Sequence, residues 1–325
     1  MIDVPTLLIM GAGASKPYGY PTGAELRTEI VTNFYSRLQE LIESDSATKE
    51  HEKKKHLREA GSFIDVFDKS SVESIDKFLA LNPFYSYYGK IAITLCILEK
   101  EKSSQFREAL GPSAYSQDWY KLLFNRMITS FNKSDDFNHF RENKISFITF
   151  NYDRSFEHFL YESFLHAFWE KRHEFEPSLN KSNCHEYIPF PLVHVYGQVD
   201  ELLWHGGRNY KEAFDFQTIL KLSNGIRVIG ERADHLKDEV SKLISKSKRI
   251  FFLGFGYADD NLEAVGLPGN VNENWEIFGT AKGMTEKEIQ GIKSNFIKNF
   301  SAKILSMINP RIEDKTSYDL LREYL

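Results

Sequence analysis

Short apolar runs alternate with longer amphipathic stretches along this chain, and the alternation predicts its elements. Pro5-Thr-Leu-Leu-Ile-Met10 is apolar without a polar face, the pattern of a strand buried on both sides, as parallel sheets require. It runs into Gly11-Ala-Gly-Ala-Ser15. A helix is predicted after Thr22, with Glu25 as its capping-box partner and Leu26, Ile30, Phe34, Leu38 and Leu41 on one face. Residues from about Ser44 to Ala60 are nearly all polar and read as a solvated helix or loop. From Ser70 to Arg126 the pattern is helical. Ser70 and Glu73 form a possible cap pair before Ile75, Phe78 and Leu79, and further helices are expected over Lys90–Lys100 and Asp118–Phe131.

Strand and helix then alternate again. Ile145–Phe150 is a predicted strand and Arg154–Trp169 a helix carrying Phe156, Phe159, Leu160 and Phe164. A proline-containing loop over Glu174–Pro191 precedes a short strand, Leu192–Tyr196. A helix over Ala233–Ser245, a strand over Arg249–Leu253, a short helix over Asp260–Val265 and a strand over Trp275–Phe278 follow. A last helix starts at Thr285, capped toward Glu288. The expected fold is α/β, a Rossmann-like, doubly wound, mostly parallel sheet. Residues 1–325 are read as one domain, with residues 44–131 a mainly helical insertion or subdomain.

Several segments at predicted strand ends carry candidate chemistry. In Gly11-Ala12-Gly13, the first glycine permits a tight turn and the second a close backbone approach, with N–H groups free for an anion. The place of a third fingerprint glycine holds Lys16, so a purely structural turn stands as the alternative. Asn151 and Asp153 are two residues apart at a strand end. Both can face a ligand cleft, or Asn151 can cap a turn and Asp153 the next helix. His194 suits base work by its ordinary pKa, with a satisfied core histidine as the alternative. Tyr196 points the same way on the strand, and Gly197 follows it. His205 ranks below His194. In Leu253-Gly254-Phe-Gly256-Tyr-Ala-Asp259-Asp260-Asn261, glycines again allow close approach, and either aspartate can accept ribose hydroxyls or cap the short helix.

Taken together, these segments resemble the sirtuin superfamily. Gly11-Ala12-Gly13-Ala14-Ser15 with Gly19-Tyr20-Pro21-Thr22 is similar to the family's opening, which covers the nicotinamide-ribose half of NAD. Thr149-Phe-Asn-Tyr-Asp153 is similar to its Thr-x-Asn-x-Asp motif. There the asparagine positions ribose or the attacking water, and the aspartate contacts the carboxamide. The family's His-Gly is replaced here by Tyr196-Gly197, with His194 two residues earlier. The Gly254–Asn261 loop looks like that of sirtuin-like proteins of prokaryotic phage defence. The resemblance spans about residues 5–300 and implies Asn151 and His194 as catalytic residues. It implies a nucleotide pocket of Gly11, Ala12, Gly13, Ser15, Pro21, Thr22, Asp153, Tyr196, Gly197, Gly254, Gly256, Asp259 and Asp260. Phe278-Gly279-Thr280-Ala281 is a further candidate for the adenine side.

Composition narrows the chemistry. Only two cysteines occur, Cys96 and Cys184, too few for the four-cysteine zinc module of deacetylating sirtuins. No metal is expected, and a reduced compartment is the default. A net charge of -5 disfavours direct nucleic-acid binding. No apolar run is long enough to span a membrane, and the expected location is cytoplasmic. The reaction implied is hydrolysis of NAD, as substrate, at the nicotinamide–ribose bond, in a regulated antiphage effector. Expected partners are a second copy of the chain (a homo-oligomer) and a defence-system sensor such as a HerA-like ATPase. The alternatives are a non-catalytic subunit that binds NAD or ADP-ribose, and an NAD-dependent deacylase or ADP-ribosyltransferase.

Overall fold

Six parallel strands and eleven α-helices make up the described part of the chain. The computed structural model describes residues 1–103, 118–174, 188–231, 234–266, 275–298 and 310–325. In chain order these are β1 (Thr6–Met10), α1 (Gly23–Ser44), α2 (Glu50–Lys69), α3 (Ile75–Leu81), α4 (Ser86–Ser103) and α5 (Trp119–Met127). Then come β2 (Ile145–Thr149), α6 (Ser155–Ala167), β3 (Leu192–His194), α7 (Phe216–Leu222), α8 (Asp234–Lys246) and β4 (Arg249–Leu253). The chain closes with α9 (Asp259–Ala264), β5 (Glu276–Thr280), α10 (Glu286–Lys298), β6 (Arg311–Glu313) and α11 (Ser317–Tyr324). A single helical turn, Ala12–Ser15, follows β1.

The strand order is β3-β2-β1-β4-β5-β6, every neighbour parallel. This is the Rossmann-like, doubly wound α/β arrangement, and its direction of winding reverses between β1 and β4. Register then decides what meets at the reversal. Met10 lies opposite both Thr149 and Leu253, and Thr149 lies opposite His194. The carboxyl ends of β1, β2, β3 and β4 therefore finish level. Leu7, Leu8, Ile9, Ile148 and Ile250–Leu253 are wholly buried, which is why these strands read as unbroken apolar runs.

The long helical stretch lies between β1 and β2, and no strand occurs there among the described residues. Helix α1 starts with the predicted capping box, Thr22 to Glu25. Its buried stripe is Leu26, Ile30, Phe34, Leu38 and Ile42, so Ile42 takes the inward position expected for the partly exposed Leu41. The polar segment before Ala60 is helical from Glu50, because Ala60, Phe63 and Phe67 give the far half of α2 an apolar face against α1 and α4. Phe63, Phe67 and Phe78 pack ring against ring beside Phe34.

Ser70 does not begin the next helix. Its hydroxyl donates to the Phe67 carbonyl at 2.6 Å, closing α2. Ser71 then takes a left-handed φ of 53° and reverses the chain, and Ser74 is the cap of α3. Helix α7, strand β6 and helix α11 were not expected from the sequence pattern. Strand β6 is only three residues long, too short to show a period.

Candidate functional site

The loops after β1 and β4 meet at the reversal point, and their glycines fit each other. Gly11 N–H donates to the Leu253 carbonyl at 2.9 Å, and Gly13 N–H to the Gly254 carbonyl at 3.0 Å. A Cβ on Gly11 would stand 2.6 Å from the Gly254 oxygen, and one on Gly13 2.9 Å from the Gly254 Cα. Gly254 has φ +55°, and its Cβ would lie 2.0 Å from the Ala14 nitrogen. The expected reason for these glycines was room for a pyrophosphate. In the fold, backbone already fills that room, and the N–H groups of Gly11 and Gly13 are paired. Gly256 differs, since nothing lies within 4 Å of its added Cβ.

Other expected pocket residues are likewise engaged. Thr22 spends its hydroxyl on Glu25 as the helix cap, beside the partly exposed Pro21. Gly197 has φ +72°, and a Cβ there would collide with the Gly225 carbonyl at 1.9 Å. Neither Asp259 nor Asp260 caps α9, because Ala258 holds the cap position. Asp260 instead pairs with Lys77 of α3 at 2.9 Å, while Asp259 is exposed. Tyr196 donates to Asn261 Oδ1 at 3.0 Å and sets its ring edge-on to Phe150. The β5 end holds the β4 loop. Thr280 Oγ1 accepts from Gly254 N–H at 2.8 Å, and the bare face of Gly279 admits the Tyr257 hydroxyl.

Asn151 stands apart from these. It is 8% exposed, and its Nδ2 donates to Ser15 Oγ at 2.9 Å. Its backbone N–H donates to Thr149 Oγ1 at 3.0 Å. Its Oδ1 is buried with no hydrogen-bond partner among the described residues. An orphaned buried acceptor costs about 1–3 kcal/mol of desolvation, and such groups concentrate where a ligand or water completes them. Ser15 reaches it from the turn beside Ala12, so β1 and β2 jointly hold the amide.

Asp153 faces its own helix. Its Oδ1 accepts from the Ser155 N–H at 3.0 Å and from the Ser155 hydroxyl, which makes it the local anchor of α6. Burial pushes its pKa up, more than those hydrogen bonds bring it down. A buried hydroxyl network continues outward. Tyr120 meets Ser155 Oγ at 2.9 Å, and Tyr18 donates to Asp118, the cap of α5. Helix α5 is tied to the glycine turn by Trp119 Nε1, which donates to the Ala14 carbonyl at 2.8 Å.

His194 does not stand free for base work. Its Nδ1 lies 3.0 Å from the Asn151 carbonyl oxygen and its Nε2 2.7 Å from Glu157 Oε1. Burial, the largest single influence, lowers its pKa, but the Glu157 carboxylate, the Asn151 carbonyl and Asp153 together outweigh it, and the pKa is raised above the ordinary 6.5. Both partners of the ring are acceptors, which an imidazole protonated on both nitrogens satisfies together.

Glu157, Arg154 and Glu101 were missed in the sequence. Glu157 sits in the first turn of a helix that starts just past a strand end, which is a signal that it points back to the sheet edge. Arg154 and Glu101, 53 residues apart, carry no such signal. Both are wholly buried, and Arg154 Nε and Nη2 clasp Glu101 at 2.9 and 2.8 Å. The remaining Arg154 donors go to the carbonyls of Glu201, Arg208 and Asn209.

A cavity of about 930 Å³ opens beyond His194, between β3, the start of α6 and the Gly197–Gly206 loop. Of the expected pocket residues only His194 and Gly197 line it, with the exposed His205 on the same wall. Among the described residues no group of three or more His, Cys, Asp or Glu could hold a metal, and no helix is long and apolar enough to cross a membrane. Cys96 is a buried thiol whose pKa burial raises, while Cys184 lies outside the described residues. No family model matches this chain, and no curated protein matches it.

Proposed function

We propose that this chain is a sirtuin-like NAD hydrolase that splits the nicotinamide–ribose bond, with Asn151 as the residue that orients the attacking water. The observation that carries this reading is the orphaned, buried Oδ1 of Asn151 at the point where the sheet reverses. Ligands of open α/β sheets bind at that point, outside the carboxyl ends of the strands.

The chemistry asks little of a base. The nicotinamide nitrogen of NAD is already cationic, so the C–N bond breaks without a general acid. Positive charge spreads over the ribose ring as nicotinamide leaves with the bonding pair. Water then forms the new C–O bond and gives up one proton to solvent, leaving nicotinamide, ADP-ribose and H⁺. A water attacking an oxocarbenium-like carbon needs placing more than deprotonating. Asn151 Oδ1 accepts one of its hydrogens and fixes its direction, while Ser15 prevents the amide from turning. Asp153, buried and with a raised pKa, is assigned to the carboxamide side.

The pyrophosphate donors are not Gly11 and Gly13, whose N–H groups are paired within the fold. The open side of Gly256 and the exposed Asp259 are the parts of the β4 loop left to face a nucleotide. Toxic NAD depletion would need control, and we assign the chain to a cytoplasmic antiphage system with a homo-oligomeric state and a sensor partner such as a HerA-like ATPase. The second reading is a subunit that binds NAD or ADP-ribose without turnover, favoured by the full engagement of His194. Chromatography with mass detection of NAD incubated with wild type and Asn151→Ala separates them. Nicotinamide and ADP-ribose from the wild type alone support the hydrolase. Bound but unchanged NAD, with and without a candidate partner, supports the subunit.

A further inference from the structure

Glu157 begins the first turn of α6, and its carboxylate meets His194 Nε2 at 2.7 Å, with 16% and 8% of the two side chains exposed. The other ring nitrogen faces the Asn151 backbone carbonyl at 3.0 Å. A carbonyl oxygen can only accept, and so can a carboxylate. Both ring nitrogens are thus satisfied together when each carries a proton. The chain of contacts ends on the backbone of the residue whose side-chain Oδ1 is unpartnered.

We propose that Glu157 is a positioning residue that holds His194 as a double donor, bracing the Asn151 carbonyl so that the Asn151 amide is presented in one fixed orientation. The proposal rests on the reading of Asn151 given above. Asn151 is then held at three points, its carbonyl by His194, its Nδ2 by Ser15 and its N–H by Thr149 Oγ1. Charge around the ring is consistent with the brace. Asp153, in the turn before α6, also favours the charged ring. The cavity beside it is lined by Arg154, Lys221 and Arg227 and by Asp200, Glu201, Glu239 and Glu157 itself. His205 on the same wall is exposed. Glu157, in direct contact with Nε2, is thus the strongest of the influences that hold the proton on His194.

The test uses the whole chain labelled with ¹⁵N-histidine. His194 is assigned among the ten histidines by the signals lost in His194→Gln. In the wild type the ring is expected to release its second proton with a midpoint above 6.5. In Glu157→Gln the midpoint is expected to fall, since burial is then opposed only by the Asn151 carbonyl and Asp153, and Glu157→Asp is expected to restore it in large part. In NAD cleavage, Glu157→Gln should lose about tenfold or more in kcat at neutral pH with KM nearly unchanged, and recover at acid pH as the ring regains its proton. A wild-type His194 midpoint at or below 6.5, or a midpoint that Glu157→Gln leaves in place, would overturn the brace. Wild-type kcat and pH profile in Glu157→Gln would do the same. If the wild type binds NAD but never cleaves it, the ring-nitrogen titration still decides the brace, and only the hydrolase reading falls.

Discussion

Two residues at the end of β2, only three positions apart, treat burial in opposite ways. Arg154 spends all five of its N–H donors, two on Glu101 and three on backbone carbonyls of the 201–209 loop. Asn151 leaves its side-chain Oδ1 unspent among the described residues. The contrast separates architecture from site. A buried charge is tolerable only when paired and hydrogen-bonded throughout, so the Arg154 cluster is a joint that fastens α4 and the 201–209 loop to the sheet. A buried polar atom kept without a partner is a standing cost, and a ligand that supplies the partner recovers it.

The largest expected effect tests the joint. Arg154→Met leaves the buried Glu101 without its guanidinium, and should cost about 3–5 kcal/mol, read as a lower denaturant midpoint and melting temperature. Loss of under about 1 kcal/mol would break the contrast, because Arg154 would then not be structural. Asn151→Ala should do the reverse. It gives up one hydrogen bond to Ser15 and also removes the orphaned oxygen, so stability should stay within about 1 kcal/mol of wild type. NAD cleavage should fall by about 10²–10³, equivalent to about 3–4 kcal/mol in the transition state. A stable Asn151→Ala protein with undiminished turnover would sink its catalytic role.

The glycines sharpen the same comparison. Gly254→Ala puts a Cβ 2.0 Å from the Ala14 nitrogen at a left-handed φ, and should destabilise by at least about 2 kcal/mol. Gly256→Ala meets nothing within 4 Å and should stay within about 0.5 kcal/mol in thermal unfolding. An effect of Gly256→Ala confined to NAD binding would place that residue on the ligand side.

A pH-dependent effect concerns Asp76 of α3, whose carboxyl accepts from the Tyr152 hydroxyl. Burial raises its pKa above the ordinary 3.8, more than the hydrogen bonds lower it. The folded state therefore binds its proton more tightly than the unfolded state. Its contribution is fully present below pH 3.8 and is lost as pH rises through the raised value. Asp76→Asn keeps an acceptor for Tyr152 and cannot ionise. Stability at pH 7 should rise by up to about 1 kcal/mol, and the loss between about pH 4 and 7 should flatten. A lower melting temperature at pH 7 would show that the ionised carboxylate stabilises this contact.

Much of the frame was readable from residue order alone. Runs such as Leu7-Leu-Ile-Met10 and Ile250-Phe-Phe-Leu253 are too apolar for anything but doubly covered strands, and they are the centre of the sheet. The Thr22–Glu25 capping box is a local device and was visible locally. Ser70 misled because a serine with an acidic residue three positions on is a cap only if the backbone turns there, and the turn falls at Ser71.

Local chemistry determined the strands, most helix starts and the placing of Asn151 at a strand end. The tertiary structure alone decided what each polar atom does there. Whether a glycine clears space for a ligand or for another loop depends on what packs across from it, and for Gly11 and Gly13 that is Gly254, more than two hundred residues away. Whether a histidine is a base depends on both its ring neighbours, and Glu157 and the Asn151 carbonyl reach His194 only because β2 and β3 pair in register. Hydrophobic period is written within a few turns of chain. Hydrogen-bond partnership is set by register and packing between segments far apart, and so it is decided only when the sheet has formed.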